Sequence, residues 1–232
     1  MKEKIPTGSH CLDRNLRGGI APETITLIYG EPETGKTTLA IQCAANCAIQ
    51  QNSKTLFVDC DNTFTTERLS QITEEKFSIV AEQIILMKPK DFAEQTAIVD
   101  QLSYFVEKGF GLVIIDTFNS LYRAKISETT AKASFAVNRE LNRQMAILAQ
   151  IARTLHMPVV ATSQVRAVFE DASTGLAPVA TRILQFWADV TIALEPTENQ
   201  QVIKAVLQLK NHNPQEATCY LRIAQTGIHD LK

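Results

Sequence analysis

A strand, a glycine-bounded loop and a helix follow one another between residues 24 and 50. The loop reads Gly30-Glu31-Pro32-Glu33-Thr34-Gly35-Lys36-Thr37, which fits the pattern G-x-x-x-x-G-K-[S/T] without a mismatch. Glycine at both ends allows a close backbone approach and backbone angles that a Cβ would prevent. Successive N–H groups then point inward and hold an anion at the start of a helix. The segment therefore predicts a phosphate-binding loop rather than a chance glycine-rich turn.

The polar side chains of this loop have expected contacts with a bound nucleoside triphosphate. Lys36 reaches the β- and γ-phosphates, the Thr37 hydroxyl is a ligand for Mg²⁺, and Thr38 contacts the α-phosphate. The predicted nucleotide-binding residues of the loop are Gly30, Glu31, Pro32, Glu33, Thr34, Gly35, Lys36, Thr37 and Thr38.

Acidic and amide side chains close three further apolar runs. Asp59 ends the run Thr55–Asp59 and Asp61 follows it, Asp116 ends the run Leu112–Asp116, and Gln164 follows the run Pro158–Ser163. Ligands of an open parallel sheet bind at the carboxyl ends of its strands, so these residues are expected on one rim. A carboxylate beside a phosphate loop holds the shell of Mg²⁺, which predicts Thr37 and Asp116 as metal-side residues. The others are candidates for orienting water and sensing the γ-phosphate.

The apolar runs alternate with helical patterns, which predicts an α/β fold with a mostly parallel sheet and helices on both faces. The runs expected to be buried on both sides are Thr24–Tyr29, Thr55–Asp59, Ile84–Met87, Leu112–Asp116 and Pro158–Ser163. Three later runs predict an antiparallel carboxyl-terminal extension: Asp189–Leu194, Val202–Leu209 and Thr218–Ile223. The helices between them are predicted at Lys36–Gln50, Phe92–Glu107 and Asn138–His156. Since no linker divides the chain, residues 1–232 are expected to form a single domain.

Composition excludes several classes of protein. The net charge is −2 and the isoelectric point is about 6.1, unlike proteins that hold nucleic acid by bulk charge. No apolar run approaches the roughly 18 residues of a membrane span, and no signal peptide is visible, so a cytoplasmic protein is expected. Five irregularly spaced cysteines, an odd number, predict reduced thiols rather than a disulfide framework.

Five segments, taken in order, resemble the ATPase core of the RecA/RadA recombinase superfamily, and most closely its archaeal RadB family. They are Thr7-Gly8-Ser9 with Gly18-Gly19-Ile20, Val58–Phe64 with Glu67-Arg68-Leu69, Asp116–Arg123, Ala161–Val165 and Leu209–Pro214. The resemblance runs from about Ile5 to Ile228 and implies a RecA-like sheet that binds ATP and Mg²⁺.

The resemblance also implies roles for single residues. Asp61 stands where the family carries the glutamate that activates water, but its side chain is one methylene shorter, which predicts slow hydrolysis. Gln164 matches the γ-phosphate-sensing glutamine, so the implied catalytic residues are Lys36, Asp61 and Gln164. Arg68 matches an arginine that stacks on adenine, and the alternative is a surface arginine paired with a glutamate of its own helix region.

Two segments stand where the family has its DNA-binding loops, and the second of them departs from the family pattern. The residues 122–143 are the most basic stretch near the ATP rim, whereas the second loop, Arg166–Arg182, has no net charge of its own. The DNA-binding residues implied are Arg123, Lys125, Lys132, Arg139, Arg166 and Arg182. Tyr122 and Phe169 are the candidates for stacking on bases. Few phosphates are neutralised, so binding of single-stranded DNA is expected to be modest and salt-sensitive, and the alternative is an ordinary solvated helix face.

The expected function is that of an ATP-binding, weakly hydrolysing paralogue that assists homologous recombination and repair. Its expected partners are DNA and a full-length RadA-type recombinase or other repair proteins. Only six residues precede Thr7, so the family's amino-terminal domain and arm are expected to be absent, and with them the ability to form long filaments alone. Two alternatives remain: a KaiC-like signalling ATPase, and a protein-interaction module that uses nucleotide as a switch without binding DNA.

Overall fold

The computed structural model describes residues 3–106, 109–164, 177–210 and 216–231. Its strands are β1 (Ile25–Gly30), β2 (Lys54–Asp59), β3 (Ile84–Met87), β4 (Phe110–Asp116), β5 (Val159–Gln164), β6 (Val190–Pro196), β7 (Val202–Leu209), β8 (Ala217–Ala224) and β9 (Gly227–Asp230). Its helices are α1 (His10–Asn15), α2 (Lys36–Gln51), α3 (Thr66–Thr73), α4 (Phe77–Glu82), α5 (Phe92–Phe105), α6 (Ser120–Ser127), α7 (Ala131–Thr154) and α8 (Ala177–Trp187), with a 3₁₀ turn at Glu74–Lys76.

The nine strands of the described residues belong to one sheet in the order β3-β2-β4-β5-β1-β6-β7-β8-β9. The strands from β3 to β6 in this order are parallel, and β7, β8 and β9 add antiparallel pairs. The predicted fold class is therefore confirmed. Within the described residues, no helix is both long enough and apolar enough to cross a membrane.

Helices cover both faces of the sheet because its central strands are apolar on both sides. In β1, Ile28 packs with the helices α1 to α4, whereas Leu27 packs with α5 to α8. In β4, Ile114 and Ile115 divide between the same two cores. Continuous apolar strands are what a parallel sheet between two helical layers requires.

Two expectations from the apolar pattern are corrected. Helix α7 begins at Ala131, seven residues before the predicted Asn138. The prediction was too short because the buried residues of the helix begin only at Leu141, and helical turns without buried residues leave no apolar pattern in the sequence. Strand β3 lies at the edge of the sheet and is not buried on both sides, since Ile85 and Leu86 are 38% and 39% exposed.

The cysteine prediction is wrong for one pair. Cys11 in α1 and Cys219 in β8 form a disulfide although 208 positions separate them in the chain. Helix α1 packs beside the antiparallel extension, where the carboxylate of Asp230 accepts hydrogen bonds from Ser9 Oγ and from the backbone N–H groups of His10 and Cys11. Counting and spacing of cysteines cannot reveal such a pair, because it arises from tertiary packing.

Candidate functional site

The phosphate loop lies where β1 ends and α2 begins. Glycine is required at each end of the loop, for a different steric reason. At Gly30 a Cβ would lie 2.2 Å from the carbonyl oxygen of Leu194 in β6, so the strand pairing itself excludes a side chain. Gly35 has a φ of +85°, in the left-handed region that glycine adopts without strain. The backbone of the loop therefore curves around the amino end of α2, where backbone N–H groups can bind an anion.

Lys36 is the buried cation of this loop. Its ammonium group donates to the carbonyl oxygen of Glu31 and approaches the Thr34 hydroxyl at 3.5 Å. Burial lowers the pKa of Lys36, while the carboxylates of Asp116, Asp61 and Glu31 act in the opposite direction. Among the described residues, the oxygen partners of the ammonium come from its own loop, so it is available to an anion that enters the loop.

Asp116 joins the phosphate loop to the middle of the sheet. One carboxylate oxygen accepts a hydrogen bond from Thr37 Oγ1 at 2.7 Å, and the other accepts one from the hydroxyl of Thr162 in β5. Burial raises the pKa of Asp116, the two hydroxyl donors lower it, and the charges of Asp59 and Asp61 raise it. Thr37 and Asp116, predicted as metal-side residues, are therefore in direct contact.

The two acidic residues after β2 have different environments. The buried carboxylate of Asp59 accepts from the backbone N–H groups of Thr63 and Phe64 and lies 3.3 Å from Lys88 Nζ. Its bonds hold the loop that follows β2. Asp61 is exposed within that loop, on the same rim as Lys36, so it is the residue of the pair that is open to water.

Gln164 ends β5 beside the loop that follows Asp116. The side chain of Asn119 accepts from the backbone N–H of Gln164 and donates to its carbonyl oxygen, both at 3.3 Å. Asn119 is almost fully buried. The position of Gln164 is thereby tied to the strand end that carries Asp116.

Arg68 lies between the phosphate loop and the carboxyl-terminal hairpin. Its guanidinium donates to Thr38 Oγ1 at 3.3 Å and to the carbonyl oxygens of Ala224 and Gln225 at 3.1 and 2.7 Å. It also donates to Gln71 in its own helix, not to the glutamates that sequence reasoning considered. The turn between β8 and β9 therefore forms one side of the site.

Sequence reasoning missed three residues that shape this site: Thr162, Asn119 and Gln42. Gln42 lies on the phosphate-loop helix, and its amide exchanges two hydrogen bonds with the backbone of Ile228 in β9. Thr162 had a visible signal, since it is a polar residue inside a buried apolar strand. Gln42 and Asn119 had none, because their partners are distant in sequence or are backbone atoms.

Thr37 and Asp116 suit a metal ion whose other ligands are water molecules and phosphate oxygens. Among the described residues, no group of three or more His, Cys, Asp or Glu side chains is arranged to hold a metal by itself. Mg²⁺ in nucleotide sites is held by one or two protein oxygens together with phosphates and water. The Thr37 hydroxyl and the Asp116 carboxylate provide such a pair at the mouth of the phosphate loop.

Five of the six predicted DNA-binding residues lie on helices of the described part of the chain. Arg123 and Lys125 on α6 and Lys132 and Arg139 on α7 are all exposed, and so is Arg182 on α8. Arg166, like the stacking candidate Phe169, lies outside the described residues. The stacking prediction for Tyr122 is wrong, because its ring is only 1% exposed and its hydroxyl donates to Asn138 Oδ1.

The chain is similar to known proteins over nearly its whole length. A family model described as Rad51 matches residues 3–231. The DNA repair and recombination protein RadB of Thermococcus onnurineus is 32% identical over 230 residues, which cover 98% of this chain and 97% of the relative. The RadB of Methanobrevibacter smithii is 33% identical, with 97% and 95% covered. A crystal structure of the RadB recombinase superposes with a TM-score of 0.80 at 31% identity, covering 98% of this chain and 100% of the other.

Proposed function

The chain belongs to the Rad51 family, and we propose that, like the RadB proteins it resembles, it acts in DNA repair and recombination. In this proposal it binds ATP with Mg²⁺, hydrolyses ATP slowly, binds single-stranded DNA and assists a full-length RadA-type recombinase. The observation that carries the proposal is the contact between Thr37 and Asp116 beside the buried Lys36. It joins a complete phosphate loop to a desolvated carboxylate from a second strand.

Each residue of the rim has a proposed task. Lys36 and the backbone N–H groups of its loop bind the β- and γ-phosphates, and Thr37 and Asp116 hold Mg²⁺, which neutralises phosphate charge when bound. Asp61 orients the attacking water and takes up its proton, because it is the exposed carboxylate of the rim. Gln164 responds to the γ-phosphate, and Arg68 lies against the base beside the β8–β9 turn.

The edge of this protein's sheet at β3 is the surface proposed to bind a recombinase partner. This strand pairs with β2 on one side, and within the described residues no strand pairs with its other side. Ile85 and Leu86 are partly exposed there, and Ile79 on the neighbouring α4 is 59% exposed. An edge strand with apolar side chains is a surface to which an extended segment of another protein adds as a strand.

The proposal is tested by three measurements on the purified protein. Mg-ATP should bind, and single-stranded DNA should bind with an affinity that falls as salt rises. A RadA-type recombinase on single-stranded DNA should show altered assembly when the protein is added. A chain that binds ATP but neither DNA nor a recombinase would instead be a nucleotide-switched module, contrary to the proposal.

Hydrolysis should respond to the length of the acid at position 61. Asp61→Glu should raise the turnover severalfold, because the longer side chain brings the carboxylate closer to the water. Asp61→Asn should lower the residual rate at least about tenfold, since general base catalysis contributes roughly 10²–10⁴. Phosphate release under saturating Mg-ATP measures both.

The matched control for this series is Glu82→Gln. Glu82 is an exposed carboxylate at the end of α4, at the amino end of β3 and so away from the rim. Its removal should leave turnover unchanged. A wild-type rate as fast as that of efficient ATPases, or equal rates in both Asp61 variants, would mean that another group orients the water.

A further inference from the structure

Helix α7 extends beyond the sheet at the rim that carries the site. Its 24 residues span about 36 Å at 1.5 Å per residue, whereas the six residues of the following strand β5 span about 20 Å. The chain leaves β4 at the rim and α7 returns it to the start of β5, so the excess length lies at its amino end. None of the described residues from Ala131 to Glu140 is buried, and the buried residues of the helix begin at Leu141.

Phe135 lies in this projecting part and is 73% exposed. Lys132 and Arg139 stand three residues before it and four residues after it, so all three lie on the same side of the helix. Both cations are exposed. Arg123 and Lys125 lie on the neighbouring α6, which is joined to α7 by the hydrogen bond from Tyr122 to Asn138. We call Lys132, Phe135 and Arg139, together with Arg123 and Lys125 of the adjoining α6, the Phe135 face.

Within the part of the chain that the structure describes, the charge of the Phe135 face is not neutralised by ion pairs. Within the described ranges, no ion pair involves any of its four cations. In contrast, Arg143 further along α7 is paired with both Asp100 and Glu140, which raise its pKa. Between Ser120 and Thr154, Glu128 in the turn between α6 and α7 is the one acidic residue outside an ion pair among the described residues. The face therefore presents an aromatic ring beside cations that have no carboxylate partner among the described residues.

We propose that Phe135 stacks on an unpaired base of single-stranded DNA while Lys132 and Arg139 contact the flanking phosphates. An aromatic ring adds affinity only where a base exposes its π-face, which a duplex does not offer within its stack. Cations on either side of the ring match the phosphates on either side of a base. The inference rests on the proposed DNA binding and makes it specific: α7, with Phe135 in place of the buried Tyr122, selects single strands over duplexes.

Fluorescence anisotropy with a labelled oligo-dT and a duplex of equal length tests this. Phe135→Ala should weaken binding of oligo-dT about tenfold to a hundredfold, as one lost stacking contact predicts. Its duplex affinity and salt dependence should stay within about twofold of wild type. Phe135→Trp should retain the wild-type affinity, and the fluorescence of the new tryptophan should be quenched by oligo-dT but not by duplex.

Two further variants separate stacking from charge and from general apolarity. Tyr104→Ala on α5 removes another aromatic ring that is 79% exposed, and it should leave oligo-dT binding unchanged. The double substitution Lys132→Gln and Arg139→Gln should reduce the salt slope for oligo-dT by about 1.4, at roughly 0.7 per phosphate on a single strand. All these side chains are exposed, so thermal melting should confirm that each variant is folded.

The outcomes distinguish this inference from the proposed function. If wild type binds oligo-dT and Phe135→Ala binds it equally well, the inference is wrong while DNA binding stands. If Phe135→Ala weakens single-stranded and duplex binding alike, Phe135 does not stack and the inference is again wrong. If it leaves oligo-dT binding intact but abolishes binding to a RadA-type recombinase, the face docks a protein. If wild type binds no DNA, both proposals fail.

Discussion

Replacing Lys36 with alanine should weaken Mg-ATP binding at least about thirtyfold and abolish measurable hydrolysis. Removing one partner of a buried charge pair costs about 2–5 kcal/mol in binding, and every 1.4 kcal/mol is tenfold in affinity. The fold should survive, because within the described residues the Lys36 ammonium is hydrogen-bonded to oxygens of its own loop, on Glu31 and Thr34. Titration with a fluorescent ATP analogue, together with a thermal melt, measures both expectations.

The matched control for Lys36→Ala is Lys54→Ala. Lys54 is an exposed lysine at the amino end of β2, at the opposite end of that strand from the rim. Its loss should alter neither affinity nor turnover. If Lys36→Ala bound and hydrolysed ATP as well as wild type, the phosphate-loop assignment would be wrong, and the Rad51 family fold would have to serve another purpose in this chain.

Sequence reasoning located the rim because parallel strands place their carboxyl ends together. Asp116 and Lys36 are separated by about eighty residues, yet both follow buried strands, and the rule for open sheets was enough to bring them close. The same rule could not rank Asp59 against Asp61. That distinction depends on which carboxylate the backbone of Thr63 and Phe64 captures, which is a local fold of the loop and not a pattern.

Contacts between segments that are distant in the chain could not be predicted from sequence patterns. The amide of Gln42 pairs with the backbone of Ile228, and the guanidinium of Arg68 holds the carbonyls of the β8–β9 turn. Both bring the last hairpin against the phosphate loop, although neither residue type has a characteristic spacing. An apolar stripe likewise could not report the projecting turns of α7, because turns that bury nothing have no apolar pattern. Exposure at Phe135 is known only from the structure.

The disulfide between Cys11 and Cys219 should contribute a large part of the stability of the oxidised protein. Closing a loop of 208 residues removes much of the conformational freedom of the unfolded chain, typically about 2–4 kcal/mol and more for long loops. For a chain of this size each kcal/mol shifts the melting temperature by about 2–4 °C. A reductant should therefore lower the melting temperature of wild type by roughly 4–16 °C.

Cys11→Ser provides the internal control for this prediction, since it should melt at the temperature of the reduced wild type and ignore the reductant. Cys43, Cys47 and Cys60 are buried thiols, and burial raises the pKa of Cys43 and Cys60, which keeps these two thiols protonated and slow to exchange with the disulfide. Unfolded, unreduced protein should thus titrate three thiols, and reduced protein five. The prediction would be wrong if five thiols were titrated before reduction and the melting temperature were the same with and without reductant. In that case packing and the Asp230 hydrogen bonds would hold α1 against β8 without a disulfide.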